Sequence, residues 1–112
     1  MVAELFCTLA VITCEPKVEV EIVKNEIVRQ AEIYNVDVNK ALAIAKCESE
    51  FIKTAKNKNS SATGVYQYID STWDYFCKGD RLNHISNIRC FMQMYPRYPT
   101  YWECHKKLYG KT

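Results

Sequence analysis

Apolar residues recur at helical spacing through the first half of the chain, and this pattern limits the possible folds more than any other feature. Between residues 19 and 34, apolar side chains follow one another in steps of three and four, with charged side chains between them: Val20, Val23, Ile27, Ala31 and Tyr34. Asn35 suits the end of a helix, and Asp37 suits the N-cap of the next one. We therefore predict two helices, over 19–34 and 38–50, joined by a short turn.

The length and charge of the chain indicate one small globular domain. Its 112 residues are 48% hydrophobic, and no repeat, low-complexity tract or linker interrupts them. A chain of this size can bury roughly two thirds of its surface in a single core. The formal net charge of +2 is too small to imply a nucleic-acid partner, so we expect no binding of nucleic acid. We also expect the protein to be a monomer.

Six cysteines are many for so short a chain. The globular part contains four of them: Cys47, Cys77, Cys90 and Cys104. An even set in a small domain favours two disulfides and an exported location, either extracellular, periplasmic or associated with a cell wall. Reduced cysteines in a cytosolic protein are the less favoured alternative. No CxxC pair occurs and the two histidines form no ligand pattern, so we expect no metal.

The first residues resemble a targeting segment. Residues 5–14 form an apolar run that is too short to span a membrane and suits the core of a signal peptide. The basic residues that usually precede such a core are missing, and a strand or helix packed on the domain is the alternative. We interpret residues 1–16 as a signal peptide or N-terminal remnant and residues 17–112 as the domain.

Glu48 is the strongest candidate for a catalytic residue. It lies three residues after Ala45 and seven after Ala41, so it continues the apolar face of the second predicted helix. Burial and the negative end of the helix dipole both raise the pKa of a carboxyl group. A glutamic acid that holds its proton near neutral pH can act as the general acid in glycosidic bond cleavage. Glu50 is turned about 200° away and should face water.

A polar loop and a tight turn follow this helix. Gly64 permits a positive φ or a close backbone approach. Gln67 stands between Tyr66 and Tyr68, and its amide offers the donors and acceptors that sugar hydroxyl and N-acetyl groups require. Structural roles in the turn and the core are the alternative for these residues. Asp70 is predicted to cap the next helix rather than to act as a second catalytic carboxylate.

The last third of the chain is predicted to be helical, with a break at two prolines. Pro96 and Pro99 interrupt the pattern, and a last short helix is expected to hold Tyr101, Trp102 and Leu108. Trp102 suits a core anchor and a sugar platform equally. Before the break, helical spacing indicates core positions at Ile88, Phe91, Met92 and Tyr95.

Several of these segments together resemble the lysozyme-like lytic transglycosylase (SLT) family. The resemblance covers about residues 20–109, and its specificity lies in the order of the motifs. Part of it is shared with resuscitation-promoting-factor domains. The residues that carry it are Ala43-Ile44-Ala45-Lys46-Cys47-Glu48-Ser49-x-Phe51, Asn57, Gly64-Val65-Tyr66-Gln67, Ser71-Thr72-Trp73 and the helix from Asn87 to Tyr95.

The resemblance implies an all-α, lysozyme-like fold and bacterial peptidoglycan as the substrate. It implies that Glu48 is the acid/base residue. It also implies a sugar-binding site, for which the expected residues are Ser49, Asn57, Gly64, Tyr66, Gln67, Tyr68 and Tyr101. Tyr101 is only a candidate for the family's tyrosine that positions the glutamate, because the chain reads Tyr101-Trp102-Glu103-Cys104 where many members have Ala-Tyr-Asn.

The inferred fold further suggests two disulfides, Cys47–Cys104 and Cys77–Cys90. The expected reaction is cleavage between N-acetylmuramic acid and N-acetylglucosamine with formation of a 1,6-anhydro sugar, and it needs no cofactor. Hydrolysis, as in goose-type lysozyme, is the nearest alternative. A secreted, catalytically weak peptidoglycan-binding module is an alternative of another class.

Overall fold

Five α-helices and one 3-10 turn make up the regular structure of residues 11–111, which are the residues that the computed structural model describes; side chains are described from Lys17 onward. Within this part of the chain, β-structure is limited to two isolated bridges, and no helix is long and apolar enough to cross a membrane. The predicted all-α fold is confirmed. The elements are α1 (Val11–Tyr34), α2 (Val38–Ser49), α3 (Asp70–Phe76), α4 (His84–Met94), the 3-10 turn (Pro99–Tyr101) and α5 (Glu103–Tyr109).

Helix α1 is longer than predicted. It begins at Val11 rather than near residue 19 and continues through Pro16. A proline removes one backbone hydrogen bond but need not end a helix. The helix ends as expected, with Asn35 in the left-handed conformation at φ 58°. The targeting role predicted for residues 1–16 stays a prediction, and residues 1–10 lie outside the described part of the chain.

Helix α2 has the ends that the sequence predicts. The side chain of Asp37 accepts a hydrogen bond from the backbone N–H of Lys40 at 3.0 Å, which makes it an N-cap. After Ser49, Glu50 and Phe51 both adopt positive φ, 55° and 64°. These two left-handed residues end the helix and turn the chain sharply into the following loop. Glu50 is exposed, as predicted.

The core lies where α1, α2 and α4 meet. Helix α1 packs on both α2 and α4, and α5 packs on α2. The four core positions predicted on α4 and just after it are all buried, which confirms that prediction. The largest fully buried side chains include Ile27, Ile44, Tyr66, Ile88 and Phe91.

The segment before α5 differs from the prediction. Tyr101 lies in the 3-10 turn and Trp102 is the N-cap of α5, so only Leu108 of the three expected residues is in the last helix. Trp102 is buried and its indole N–H donates to the Tyr66 carbonyl at 3.0 Å. Its role as a core anchor is therefore established by the packing.

Asp70 does not cap α3 through its side chain. The N-cap is Ile69, and no side-chain hydrogen bond caps this helix. Asp70 is the first residue of α3 and pairs with Arg81. The prediction placed the cap one residue too late and missed the arginine, which lies eleven positions further along the chain.

Both predicted disulfides are confirmed. Cys47–Cys104 ties the last turn of α2 to α5, with 6.0 Å between the Cα atoms. Cys77–Cys90 ties the residue that follows α3 to α4, with 5.5 Å between the Cα atoms. The first bond therefore fixes the part of the fold around Glu48.

Candidate active site

Glu48 lies in the last turn of α2 and is half-buried against α5. Its Oε2 atom accepts a hydrogen bond from the backbone N–H of Cys104 at 3.2 Å. Cys104 is also the disulfide partner of Cys47, the residue just before Glu48. A covalent bond and a hydrogen bond thus join the same two segments, and together they orient the Glu48 carboxyl group.

The surroundings of Glu48 raise the pKa of its carboxyl group. Burial, which penalises the charged form, is the main cause. The Cys104 N–H and the positive charge of Lys107 act in the opposite direction, and the negative charge of Glu103 adds to the rise. The net effect favours the protonated form, which is the form that a general acid needs.

Ser49 is buried, with 7% of its surface exposed. Its hydroxyl donates to the carbonyl of Val65 at 2.7 Å and lies 3.3 Å from that of Ala45. These contacts link the end of α2 to the turn that carries Gln67. The substrate contact predicted for Ser49 stays a prediction, because the hydroxyl proton is committed to the protein in this conformation.

Gly64 is placed where a side chain would not fit. Its φ is +90°, and an added Cβ would lie 2.6 Å from the Arg81 carbonyl and would collide with the side-chain amide of Asn87. Asn87 is fully buried, accepts from the Tyr66 N–H at 2.9 Å and donates to the Arg81 carbonyl at 2.9 Å. The turn is therefore pinned to α4 at close range, and Gly64 makes this possible.

Gln67 combines an unusual backbone with a directed side chain. Its φ of 51° is rare for a residue other than glycine. Its amide donates to the carbonyls of Ala55 at 3.1 Å and Gly64 at 3.0 Å. Both amide hydrogens are thus used within the protein, so the side-chain oxygen is the atom that Gln67 can offer to a sugar hydroxyl or amide N–H.

The two tyrosines beside Gln67 have different surroundings. Tyr66 is fully buried, stacks on Phe91 at 3.7 Å and donates its hydroxyl to the Ala41 carbonyl at 2.7 Å. Burial also raises the pKa of Tyr66. Its side chain cannot reach a ligand, and the predicted substrate contact does not fit this packing. Tyr68 is also buried, but it reaches the wall of a groove.

This groove has a volume of about 90 Å³ and contains three of the predicted substrate-binding residues. It is lined by Gln67, Tyr68, Ile69, Thr72, Tyr101 and Trp102. Tyr101 is 54% exposed and forms the outer wall. Glu48 does not line the groove. Trp102 connects the groove to Glu48 along the chain. It lies two residues before Cys104, whose backbone N–H binds the Glu48 carboxyl group.

Asn57 lies in the exposed loop after α2. Its backbone N–H donates to the Ala62 carbonyl at 3.0 Å, and its side chain accepts from the Asn59 N–H at 2.7 Å. These bonds shape the loop, so the side chain of Asn57 has a local structural role. It is not among the residues of the groove, and its substrate contact stays a prediction.

Sequence reasoning missed several residues that build the site. Arg81 donates to the Tyr68 carbonyl at 2.9 Å while it pairs with Asp70. The charges of Glu103 and Lys107 act on Glu48 from the opposite helix. No local pattern signals these contacts, because each joins residues more than ten positions apart. Asn87 was placed near the start of its helix by the family resemblance, but its contact with Gly64 was not foreseen.

Among the residues with described side chains, no cluster of His, Cys, Asp and Glu could hold a metal ion. The profile of the family described as "Transglycosylase SLT domain" matches residues 26–89, which include α2, the turn and most of the predicted site residues. Searches of curated proteins and of solved structures gave no match to the chain.

Proposed function

The chain belongs to the transglycosylase SLT domain family, and from this premise we propose that it is a lytic transglycosylase that cleaves the glycan strands of bacterial peptidoglycan. The scissile bond is the β-1,4 bond between N-acetylmuramic acid and N-acetylglucosamine. The observation that carries the proposal is the half-buried Glu48, whose raised pKa and fixed orientation suit an acid/base residue.

Glu48 acts first as an acid and then as a base. Its carboxyl group protonates the glycosidic oxygen, and the bond from this oxygen to the anomeric carbon of N-acetylmuramic acid breaks. The resulting carboxylate takes the proton of the C6 hydroxyl of the same sugar. Oxygen 6 then bonds to the anomeric carbon, which yields a 1,6-anhydro sugar and returns Glu48 to its protonated state.

The groove beside Trp102 supplies the sugar-binding surface. Tyr101 offers an exposed ring, and sugars stack well on such amphipathic surfaces. Gln67 offers its side-chain oxygen at a fixed angle, since its amide nitrogen is held by two carbonyls. The strained backbone of Gln67 fits a binding site, where such conformations are concentrated.

Mass spectrometry of the products tests the reaction type. Purified cell walls treated with the protein should release fragments that end in anhydro-muramic acid, each lighter by one water than a hydrolysis product. Fragments with new reducing ends alone would reject the lytic reaction. The absence of any turnover by the wild type, with binding to cell walls retained, would favour a binding module instead.

Hydrolysis is the second candidate, and Glu103 is the observation that favours it. The charge of its carboxylate raises the pKa of Glu48, and Glu103 directly follows Trp102, which lines the groove. A hydrolase commonly uses a second carboxylate to activate water. Against this role, Glu103 is exposed and paired with Lys106 at 2.9 Å, so we favour the one-carboxylate mechanism.

The two disulfides support an exported location, because such bonds persist in oxidising compartments. Peptidoglycan lies outside the bacterial cytoplasm, so substrate and compartment agree. Growth of cells that express the full chain, followed by separation of the medium and the periplasm from the cytoplasm, tests this location. Recovery of the protein only in the cytoplasm, with free thiols, would contradict it.

A further inference from the structure

A second, larger cavity lies between the end of α3 and one face of α4. Its volume is about 300 Å³, and its wall contains two cations, two neutral polar side chains, one aromatic ring and one half-cystine. No carboxylate lines it among the residues with described side chains. The lining residues are Phe76, Lys78, Ser86, Arg89, Cys90 and Gln93.

The two cations of this cavity are available to a ligand. Lys78 and Arg89 are both exposed, and neither forms an ion pair with another residue in the described part of the chain. Arg81 differs from them, because it is committed to Asp70 and to the Tyr68 carbonyl. The cavity therefore has positive charge that the protein itself does not neutralise.

The disulfide between Cys77 and Cys90 holds the backbone segments that carry the two cations close together. Lys78 directly follows Cys77, and Arg89 directly precedes Cys90. The Cα atoms of the two half-cystines are 5.5 Å apart, so the backbones that carry both cations are held side by side. Such preorganisation lowers the entropic cost of binding an anion between them.

The cavity adjoins the sugar-binding groove through aromatic rings. Phe76 lines the cavity, and its ring centroid lies 5.8 Å from that of Tyr101, which lines the groove. Tyr98 packs on both rings, at 5.5 Å and 5.4 Å. A branched polymer that occupies the groove can therefore extend a side branch over this aromatic wall into the cavity.

We propose that this cavity binds a carboxylate of the peptide stem that peptidoglycan carries on its muramic acid residues. Arg89 supplies a planar guanidinium that matches a carboxylate, and Lys78 supplies a second positive charge. Ser86 and Gln93 supply neutral hydrogen-bonding groups for the peptide amides. The inference rests on the proposed function, and it gives this chain a preference for glycan strands that bear stems over bare strands.

The test measures the affinity of the full chain for two soluble probes in the Glu48→Gln background, which prevents turnover. One probe is a peptidoglycan tetrasaccharide with peptide stems, and the other is the same tetrasaccharide after an amidase has removed them. The cavity variant is Lys78→Gln/Arg89→Gln. The matched control, Lys17→Gln/Lys24→Gln, removes the same charge from α1, outside the cavity.

We expect the cavity variant to bind the stem-bearing probe about tenfold more weakly, since charge-assisted hydrogen bonds are lost. Affinity for the bare probe should stay unchanged, and the control should match the parent on both probes. Added salt should weaken binding of the stem-bearing probe by the parent more than by the cavity variant. Thermal unfolding of both variants checks that they fold.

Three outcomes would overturn the proposal. Equal affinity of parent and cavity variant for the stem-bearing probe would remove the cavity from recognition. Equal loss on both probes would assign the cations to the glycan rather than to the stem. Failure of the wild type to cleave cell walls and to bind either probe would reject the proposed function itself, and this result is distinguishable from the other two.

Discussion

At Glu48, burial and hydrogen bonding act on the carboxyl pKa in opposite directions. Burial raises the pKa, while the Cys104 N–H and Lys107 lower it. The burial effect is the largest, so the pKa of the carboxyl group lies above its ordinary value of 4.5. The same contact that limits the rise also fixes the direction in which the proton is presented.

The raised pKa of Glu48 makes the stability of the folded protein depend on pH. The folded state holds this proton more tightly than the unfolded state, so the contribution is fully present below the unfolded pKa. It is lost as pH rises through the folded pKa. We expect the free energy of unfolding of Glu48→Gln, relative to wild type, to increase from pH 4 to pH 8, measured by urea denaturation.

Glu50→Gln is the matched control for this measurement. It removes the same charge two residues away, from an exposed side chain. A relative stability that rises with pH equally in both variants would show that net charge, rather than the burial of Glu48, causes the effect.

Two charges on α5 should tune the activity in opposite directions. Glu103→Gln removes a charge that raises the pKa of Glu48, and Lys107→Gln removes one that lowers it. If the protonated Glu48 is the active form, the alkaline limb of the pH–activity profile should move to lower pH in Glu103→Gln and to higher pH in Lys107→Gln. Shifts in the same direction would contradict this account.

The Glu103 variant also separates the two reaction types. If Glu103 acts only through the effect of its charge on the pKa of Glu48, the maximal rate of Glu103→Gln should stay close to that of the wild type. Loss of most activity at every pH would instead assign a catalytic role to Glu103 and favour the hydrolase.

At the scale of elements, the turn that carries Gln67 is held against α4 by Asn87 and against α2 by Ser49. Its backbone is therefore fixed from two sides, although it contains no regular secondary structure. This explains how a loop residue can have a defined orientation beside the groove. It also makes the close approach at Gly64 necessary for the site.

Gly64→Ala tests that close approach. The variant should lose roughly 1–3 kcal/mol of stability, because it combines a positive φ with a collision against Asn87 and the Arg81 carbonyl. Gly110→Ala is the control, since φ there is also positive, at +93°, but nothing lies within 4 Å of the added Cβ. Equal losses in urea denaturation would show that the backbone angle alone matters.

Local rules predicted the end of α1 and the start of α2 well, since capping depends on neighbours in the sequence. Asp37 and Asn35 have their expected roles for that reason. Helical phasing also separated the half-buried Glu48 from the exposed Glu50. Phasing says only which face a residue occupies, however, and it could not identify the α5 groups that act on Glu48.

The predictions for Tyr66 and Asp70 differ from the structure because both residues make contacts with segments that are distant in sequence. Tyr66 was expected in the sugar-binding site together with Gln67, but its side chain is fully buried and stacks on Phe91. Asp70 was assigned to a cap because aspartate favours that position, and its ion pair was not foreseen because Arg81 is remote in sequence. Contacts between distant segments depend on the tertiary fold, and a single sequence does not encode them in a readable pattern.

At the scale of the whole molecule, the two disulfides stabilise different regions. Cys47–Cys104 closes a loop of 57 residues and joins the two segments that position Glu48. Cys77–Cys90 closes a loop of 13 residues beside the cationic cavity. One bond therefore supports the proposed catalytic centre, and the other supports the proposed stem-binding region.

Replacing the two cysteines of either disulfide by serine should destabilise the protein, and the loss should differ between the two disulfides. The chain-entropy model gives about 4 kcal/mol for the longer loop and about 3 kcal/mol for the shorter one. Urea denaturation of the two double variants measures both losses. A larger loss for Cys77→Ser/Cys90→Ser would show that native-state contacts, rather than loop closure, determine the contribution.

The role of Glu48 is the central claim, and its replacement tests it most directly. The wild type and Glu48→Gln are incubated with purified cell walls, and the release of anhydro-muramic acid ends is followed over time. We expect the rate to fall by about 100-fold to 10,000-fold in the variant, as for the loss of a general acid, while Glu50→Gln retains its activity. Unchanged release by Glu48→Gln would contradict the account.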